Sequence, residues 1–218
     1  MPISTISFKR PITSYKKVHK LLSTIMRGHS LFINKKNISN KILLNVGCGE
    51  NPLKEFVNLD YAWYPDIDIC WDITRKKYPF ADAKFEGIFT EHCFEHLTFE
   101  KVSENLKEFH RLLKPGGTVR IVVPDGQIYF DLYQKKKIDS SVVLPYGENE
   151  ATPMISINRI FRDHGHLFIY DFETFALMLG EVGFKEIKKC SFREGRDKRL
   201  LIDKQERAVE SLYVEASK

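Results

Sequence analysis

Two glycines after an apolar run and two histidine-bearing segments are the residues of this 218-residue chain best suited to chemistry. Gly47 and Gly49 follow Ile-Leu-Leu-Asn-Val at 42–46. A short apolar run ending in glycine suits a buried parallel strand. The glycines let the backbone turn sharply and approach a ligand with no Cβ in the way. Loops of this kind bind nucleotides. Position 51 is Asn rather than a third glycine, and the loop has no basic side chain for a pyrophosphate, which argues against a nicotinamide or flavin cofactor. The second segment is Glu91-His92-Cys93-Phe94-Glu95-His96. Its histidines share a face if the stretch is helical. The order is not His-Glu-x-x-His, and no metal site is expected. The third segment is Arg162-Asp163-His164-Gly165-His166, two imidazoles beside a carboxylate on a glycine-containing loop. A neutral imidazole can take a proton from a hydroxyl or amine near neutral pH. His164, His166 and His92 are therefore the candidate catalytic residues, and Asp125, after Val-Val-Pro, is a further carboxylate that can face a cleft.

The elements that must position these groups alternate between strands and connections. Strands are expected at 42–46, 56–60, 67–71, 85–90 and 118–123. Phe99, Val102, Leu106, Phe109 and Leu113 predict a helix over 98–113 with Thr98 as cap. Pro115-Gly116-Gly117 should stop it and turn the chain into the next strand. A second helix is expected at 172–182, between an Asp171 cap and Gly183. Two late strands, 184–190 and 212–216, flank a charged, loop-like stretch at 193–207. The link between the first two strands, 47–55, is shorter than the dozen or more residues a parallel crossover usually needs. The first helix should therefore shrink to about a turn. An amphipathic helix over 13–27, capped by Thr13 or Ser14, is placed to cover the sheet face left bare. A polar linker, 34–40, follows it.

Length fits one domain with a substantial core. No apolar run approaches membrane-spanning length, and the N-terminus lacks a signal-peptide pattern, so a cytoplasmic protein is expected. Cys48, Cys70, Cys93 and Cys190 are too scattered for a Cys-x-x-Cys pair and suit reduced thiols. Residues 1–41 carry nine Lys and Arg and no acid, so the net +5 leaves −4 for the other 177 residues. A basic face of this kind is a solvated surface or meets an anionic membrane, a nucleic acid or a phosphorylated substrate.

Asn45 to Pro52, Asp60, Asp72 and Leu-Leu-Lys-Pro-Gly-Gly-Thr-Val-Arg-Ile-Val-Val-Pro-Asp at 112–125 together resemble the class I S-adenosylmethionine-dependent methyltransferases. Within that class the chain resembles the small bacterial type associated with cell-surface polysaccharide synthesis. The resemblance implies an α/β, Rossmann-like fold with a mostly parallel seven-stranded sheet, one antiparallel strand and, here, a shortened first crossover. It implies a basic N-terminal extension over 1–40 and a methyltransferase domain over 41–218 with an acceptor-side insertion at about 125–170. The cofactor would be S-adenosyl-L-methionine. Asp60, ending the second strand, would accept from the ribose hydroxyls. Asp72 would meet the adenine amine, and Ile73 would offer an amide and an apolar contact. Gly47, Cys48 and Gly49, with Asn45, Glu50 and Glu91 nearby, would hold the amino-acid end.

The expected reaction is methyl transfer to a hydroxyl or amine of a small molecule, with a sugar of a surface polysaccharide as the first expectation from the resemblance. Neither Asn-Pro-Pro-Tyr nor Asp-Pro-Pro-Tyr is present, and no cysteine follows a proline, which disfavours the usual base-methylating signatures. Two alternatives stay open: an RNA methyltransferase using the basic arm, and a cofactor-binding protein without catalysis.

Overall fold

The computed structural model describes residues 17–29, 33, 38–75, 77–135 and 152–218. Seven strands form one sheet: β1 (Leu43–Val46), β2 (Phe56–Asp60), β3 (Ile69–Cys70), β4 (Phe85–Glu91), β5 (Leu113–Pro124), β6 (Lys185–Cys190) and β7 (Ser211–Ser217). Their spatial order is β3-β2-β1-β4-β5-β7-β6. The first five run parallel, while β7 lies antiparallel to both β5 and β6. This is the mostly parallel seven-stranded sheet expected from the sequence. β1 is buried along its whole length, as a central strand covered on both faces must be.

The helices are α1 (Lys17–Met26), α2 (Phe99–Leu112), α3 (Gly126–Lys135), α4 (Pro153–Arg162) and α5 (Phe172–Val182). In α2, Thr98 accepts from the Lys101 amide as N-cap, and Val102, Leu106 and Phe109 are fully buried against the sheet. α5 has its predicted bounds because both ends are chemically marked. Asp171 accepts from the Thr174 amide, and Gly183 takes the left-handed φ of 104° that favours glycine. The first crossover, 47–55, contains no helix.

Two expectations need correction. Pro115-Gly116-Gly117 does not end α2. The helix stops at Leu112, and the tripeptide lies inside β5, beside a register shift between Phe85 and Gly87. The stretch 193–207 is loop-like as expected, but Leu200 and Asp203 within it are fully buried, and two short 3-10 turns, Lys198–Leu200 and Gln205–Arg207, shape it. The third strand is only Ile69–Cys70. α1 docks at the β2–β3 end by polar contacts: Ser23 Oγ accepts from the Trp63 amide at 2.7 Å and Arg27 Nε donates to the Tyr61 carbonyl at 2.8 Å. Leu21 and Ile25 remain exposed. The cap expected at Thr13 or Ser14 and linker residues 34–37 lie outside the described residues.

Within the insertion, α3 and α4 pack through Tyr129, Leu132 and Ile160. The Tyr129 hydroxyl reaches Glu210 Oε2 at 3.3 Å, and the Gly126 amide donates to the Tyr170 carbonyl at 2.8 Å. The helix pair is thereby anchored beside the carboxyl end of β5.

Candidate active site

The glycine loop leaves β1 and closes onto the end of β2. The Gly47 and Cys48 amides both donate to the Leu59 carbonyl, at 2.9 and 3.2 Å. The Gly49 amide donates to Asp60 Oδ2 at 2.8 Å, and the Ala62 amide to Oδ1 at 2.8 Å. Gly47 and Gly49 have φ of 74° and 57°. At Gly47 the reason for glycine is double, because a Cβ would stand 2.7 Å from Cys93 Sγ. At Gly49 a Cβ would meet nothing within 4 Å, so the loop faces open space on that side.

Asp60 fits a diol partner. Each carboxylate oxygen holds one backbone amide and keeps a second lone pair for a hydroxyl. Burial raises its pKa, although the backbone amides around it and Arg27 oppose that shift. Asp72 Oδ1 accepts from the Thr74 amide and hydroxyl, at 3.0 and 2.6 Å, while Oδ2 lies 3.5 Å from the exposed Arg75. The carbonyl of Ile73 accepts from Asn105 Nδ2 at 3.1 Å. Asn105 was not singled out in the sequence. It is buried on α2, also accepts from the Tyr78 hydroxyl at 2.7 Å, and so holds both Ile73 and Tyr78. A hollow of about 310 Å³ opens there, lined by Ile73, Thr74, Tyr78 and Asn105 among others.

The other residues expected at the cofactor divide. Asn45 is buried within β1 and donates to Asn58 Oδ1 at 3.3 Å. Cys48 is buried, which pushes its thiol pKa up. Glu50 is exposed on the loop. Glu91 accepts from the Lys204 amide at 2.9 Å, so it is tied to the late loop, and burial raises its pKa.

The histidines converge. His92 precedes a short 3-10 turn, Phe94–His96, that His96 ends, so the two do not share a helix face. At its centre Glu95 is fully buried. His92 Nδ1 lies 3.2 Å from Glu95 Oε1, and His96 Nε2 lies 3.9 Å from the same oxygen. The other ring nitrogen of His92 meets Ser211 Oγ at 2.9 Å. The 163–168 loop docks here because the Leu167 amide donates to the Glu95 carbonyl at 2.7 Å. That contact sets the His166 ring centroid 4.9 Å from that of His96, and the His164 ring 5.9 Å from His166. Two cluster members, His92 and His164, have left-handed φ of 49° and 55°. Such strain in non-glycine residues is common where function constrains the backbone. Asp125, by contrast, is occupied by Lys189 Nζ at 2.9 Å and the Gln127 amide at 3.0 Å.

Electrostatics separate the members. Burial raises the pKa of Glu95, but His92, His96 and His166 outweigh it and lower it to about 2. Burial lowers the pKa of both His164 and His166. These two rings are therefore neutral near neutral pH. His166 Nδ1 lies 2.7 Å from the Ile160 carbonyl and must donate to it, which leaves Nε2 with the lone pair. A hollow of about 390 Å³ opens beside this ring, walled by Ile157, Asn158, Phe161, Arg162, Gly165 and Leu167. Glu95 appeared in the sequence only as part of a motif. Its central place was invisible because His166 lies 71 positions farther along the chain.

Comparison with known proteins places this geometry. A family model described as a methyltransferase domain matches residues 52–121. A demethylmenaquinone methyltransferase of Chlorobaculum parvum is 29% identical over 129 residues, covering 56% of this chain and 49% of that protein. Its counterpart from Chlorobaculum tepidum is 28% identical over the same length. The chain thus spans about half the length of the curated relatives it matches. A crystal structure of an S-adenosylmethionine-dependent methyltransferase from Archaeoglobus fulgidus superposes with a TM-score of 0.50 at 15% identity, over 92% of this chain and 94% of that one. The sheet order and this superposition give the chain the fold of the class I S-adenosylmethionine-dependent methyltransferases, and its residues 52–121 match a methyltransferase domain.

Proposed function

We propose that the protein transfers a methyl group from S-adenosylmethionine to a hydroxyl or amine of a small molecule, with the Glu95 cluster at the acceptor end. One observation carries this reading: a continuous series of contacts. Gly47 of the cofactor loop touches Cys93, Cys93 opens the Glu95–His96 turn, that turn contacts His166, and His166 borders the 390 Å³ hollow. The cofactor supplies an already activated methyl on its sulfonium. The chain therefore has to align the acceptor and remove one proton. Asp60 would orient the ribose through its free lone pairs, and Asp72 with the Ile73 turn would bound the adenine. His164 and His166, neutral by burial, are the groups suited to receive a proton. His92, held between Ser211 and Glu95, positions the carboxylate.

The walls of the hollow bear on the acceptor. Phe161 and Leu167 are exposed there beside Ile157. They favour an acceptor with apolar surface over a bare sugar, and the demethylmenaquinone methyltransferase names of two relatives point the same way. A sugar of a surface polysaccharide remains the reading carried by the family resemblance alone. An RNA acceptor has only the charge of residues 1–41 behind it. The proposed partner surface for that basic segment is an anionic membrane, on the strength of exposed Leu21 and Ile25 in α1.

Calorimetry with S-adenosylhomocysteine tests the cofactor half, with one molecule bound per chain as the expected result. Asp60→Ala should weaken it by about 1–3 kcal/mol, the usual worth of a charged hydrogen bond. No heat and no thermal shift at millimolar ligand would overturn the assignment. Turnover screens of apolar phenols and amines against nucleotide sugars then separate the acceptor classes.

A further inference from the structure

We propose that Glu95, His96 and His166 form a binding site for one divalent transition-metal ion. Each offers a ligand atom, and the three atoms lie within 4.8 Å of one another. Ligands around a zinc-sized ion stand about 3.4 Å apart at bond lengths near 2.1 Å, so small side-chain rotations bring all three onto one ion.

Three independent observations support the assignment. First, the carboxylate has bonding capacity to spare. Glu95 is fully buried, and neither Oε1 nor Oε2 accepts a hydrogen bond. Its contact with His92 is close in distance but is not aligned as a hydrogen bond. Buried polar atoms are almost always satisfied, and an unmet pair on one carboxylate calls for a missing partner. His96 Nδ1 is likewise buried without a partner. Second, the surroundings resemble the outer shell of a metal centre. His166 Nδ1 donates to the Ile160 carbonyl, which leaves Nε2 as the lone-pair nitrogen. Ligating histidines are usually oriented by such a hydrogen bond from the other ring nitrogen. His92 braces Glu95 Oε1 from the opposite side and is itself anchored on Ser211. Third, the ligands are held by backbone structure. Glu95 and His96 sit on one 3-10 turn, and the Leu167 amide ties the His166 loop to the Glu95 carbonyl.

The donor set selects the ion. Two imidazoles and one carboxylate suit zinc, manganese, iron or cobalt better than magnesium or calcium, which prefer oxygen. Three protein ligands also leave a coordination position open, the mark of a reactive rather than a purely structural site. Of the three ligands, His166 lines the hollow, so an acceptor held in the hollow would approach the ion from that side. An acceptor hydroxyl bound there would lose its proton more readily. His166 is then a ligand, and among the candidate bases His164 remains. This role rests on the reading of the cluster as the acceptor end, whereas metal binding itself is measured with no acceptor present.

The experiment uses the full chain, stripped with chelator and dialysed. Zinc is titrated by calorimetry, and cobalt by its visible absorption. One equivalent should bind, with cobalt bands typical of nitrogen and oxygen ligands. His96→Ala and His166→Ala should each weaken binding at least about 100-fold, and His92→Ala about 10–100-fold, the range for an outer-shell partner. S-adenosylhomocysteine affinity should stay near that of the unaltered chain in all three, which shows that the fold survives. If a variant does not fold, manganese added to the unaltered chain gives the answer. Its paramagnetism should broaden the ring signals of His92, His96, His164 and His166 first and spare His110. Absence of stoichiometric binding at millimolar metal, unchanged affinity in both ligand variants, or uniform broadening overturns the site. Metal binding with no cofactor binding would overturn the methyltransferase reading and leave the metal site standing.

Discussion

Glu95 shows how one buried residue organises chemistry from distant parts of the chain. An unpaired carboxylate in the core would be expelled or protonated, because burial penalises its charge. Three histidines keep it ionised instead, with its pKa near 2 against an ordinary 4.5. A carboxyl whose folded pKa is depressed contributes stability above its unfolded pKa and loses it as pH falls towards the folded value. Unfolding by urea at a series of pH values should therefore show a loss on the order of 2–3 kcal/mol from Glu95 between about pH 4.5 and pH 2. Glu95→Gln should flatten the slope in that window. Equal slopes in the two proteins would show that the histidines do not stabilise the anion.

At the scale of elements, α2 reaches back to shape the loop after β3. Asn105 spans the Ile73 carbonyl, the Tyr78 hydroxyl and the Lys101 carbonyl, and the Tyr78 amide donates to Glu108 Oε2 at 3.1 Å. Asn105→Ala leaves these groups unpaired in the interior and should cost about 1–3 kcal/mol of stability. Because Ile73 and Tyr78 then lose their tether, cofactor affinity should fall as well, while Asp60 contacts persist. A variant with lowered melting temperature but undiminished cofactor binding would detach this turn from the adenine. The basic N-terminal segment belongs to the same scale. α1 is fastened by Ser23 and Arg27, with the Arg27 guanidinium 3.5 Å over the Tyr61 ring, yet presents Leu21 and Ile25 outward. Deleting residues 1–30 should abolish sedimentation with phosphatidylserine vesicles and lower thermal stability only slightly. A large drop in stability with vesicle binding intact would make the helix a structural cover instead.

Across the whole molecule, one buried ion network joins the sheet to the late loop. Arg120 on β5 is fully buried and faces Glu215 across the antiparallel pair with β7. Its guanidinium donates from Nε and Nη2 to both oxygens of Asp203, at 2.8 and 2.5 Å, and from Nη1 to Glu215 at 2.8 Å. Carbonyls of Ser191 and Glu194 accept its remaining donors. Burial works against the charge, but the two carboxylates outweigh it and raise the pKa. The segment 191–203 is thereby wrapped around one side chain, and Lys204 next to it reaches Glu91 at the mouth of the site. Arg120→Met would leave two buried carboxylates uncompensated and should cost about 3–5 kcal/mol. Replacing Arg120, Asp203 and Glu215 together with apolar residues should recover much of that loss, since the desolvation penalty goes with the charges. Denaturant melts of both variants measure the difference.

Local chemistry wrote much of this structure directly into the sequence. The apolar run before Gly47, the helical spacing from Phe99 to Phe109, and the Asp171 and Gly183 signals depend on neighbours within a few positions, so they could be read without a fold. The mostly parallel sheet with its antiparallel strand, and the place of Gly47, Gly49, Asp60 and Asp72 at strand ends, followed from that alternation together with the family resemblance, whereas the order of the strands did not. Tertiary structure decided what depends on long-range pairing. Only the docking of the 163–168 loop on the Glu95 carbonyl shows that His92, His96 and His166 share one carboxylate, with His164 beside His166. Only β7 lying beside β5 reveals Arg120 as the centre of a stretch that composition alone presented as a charged loop. A buried charge has no local signature, because its cost and its compensation are both set by partners that the folded chain brings from far away.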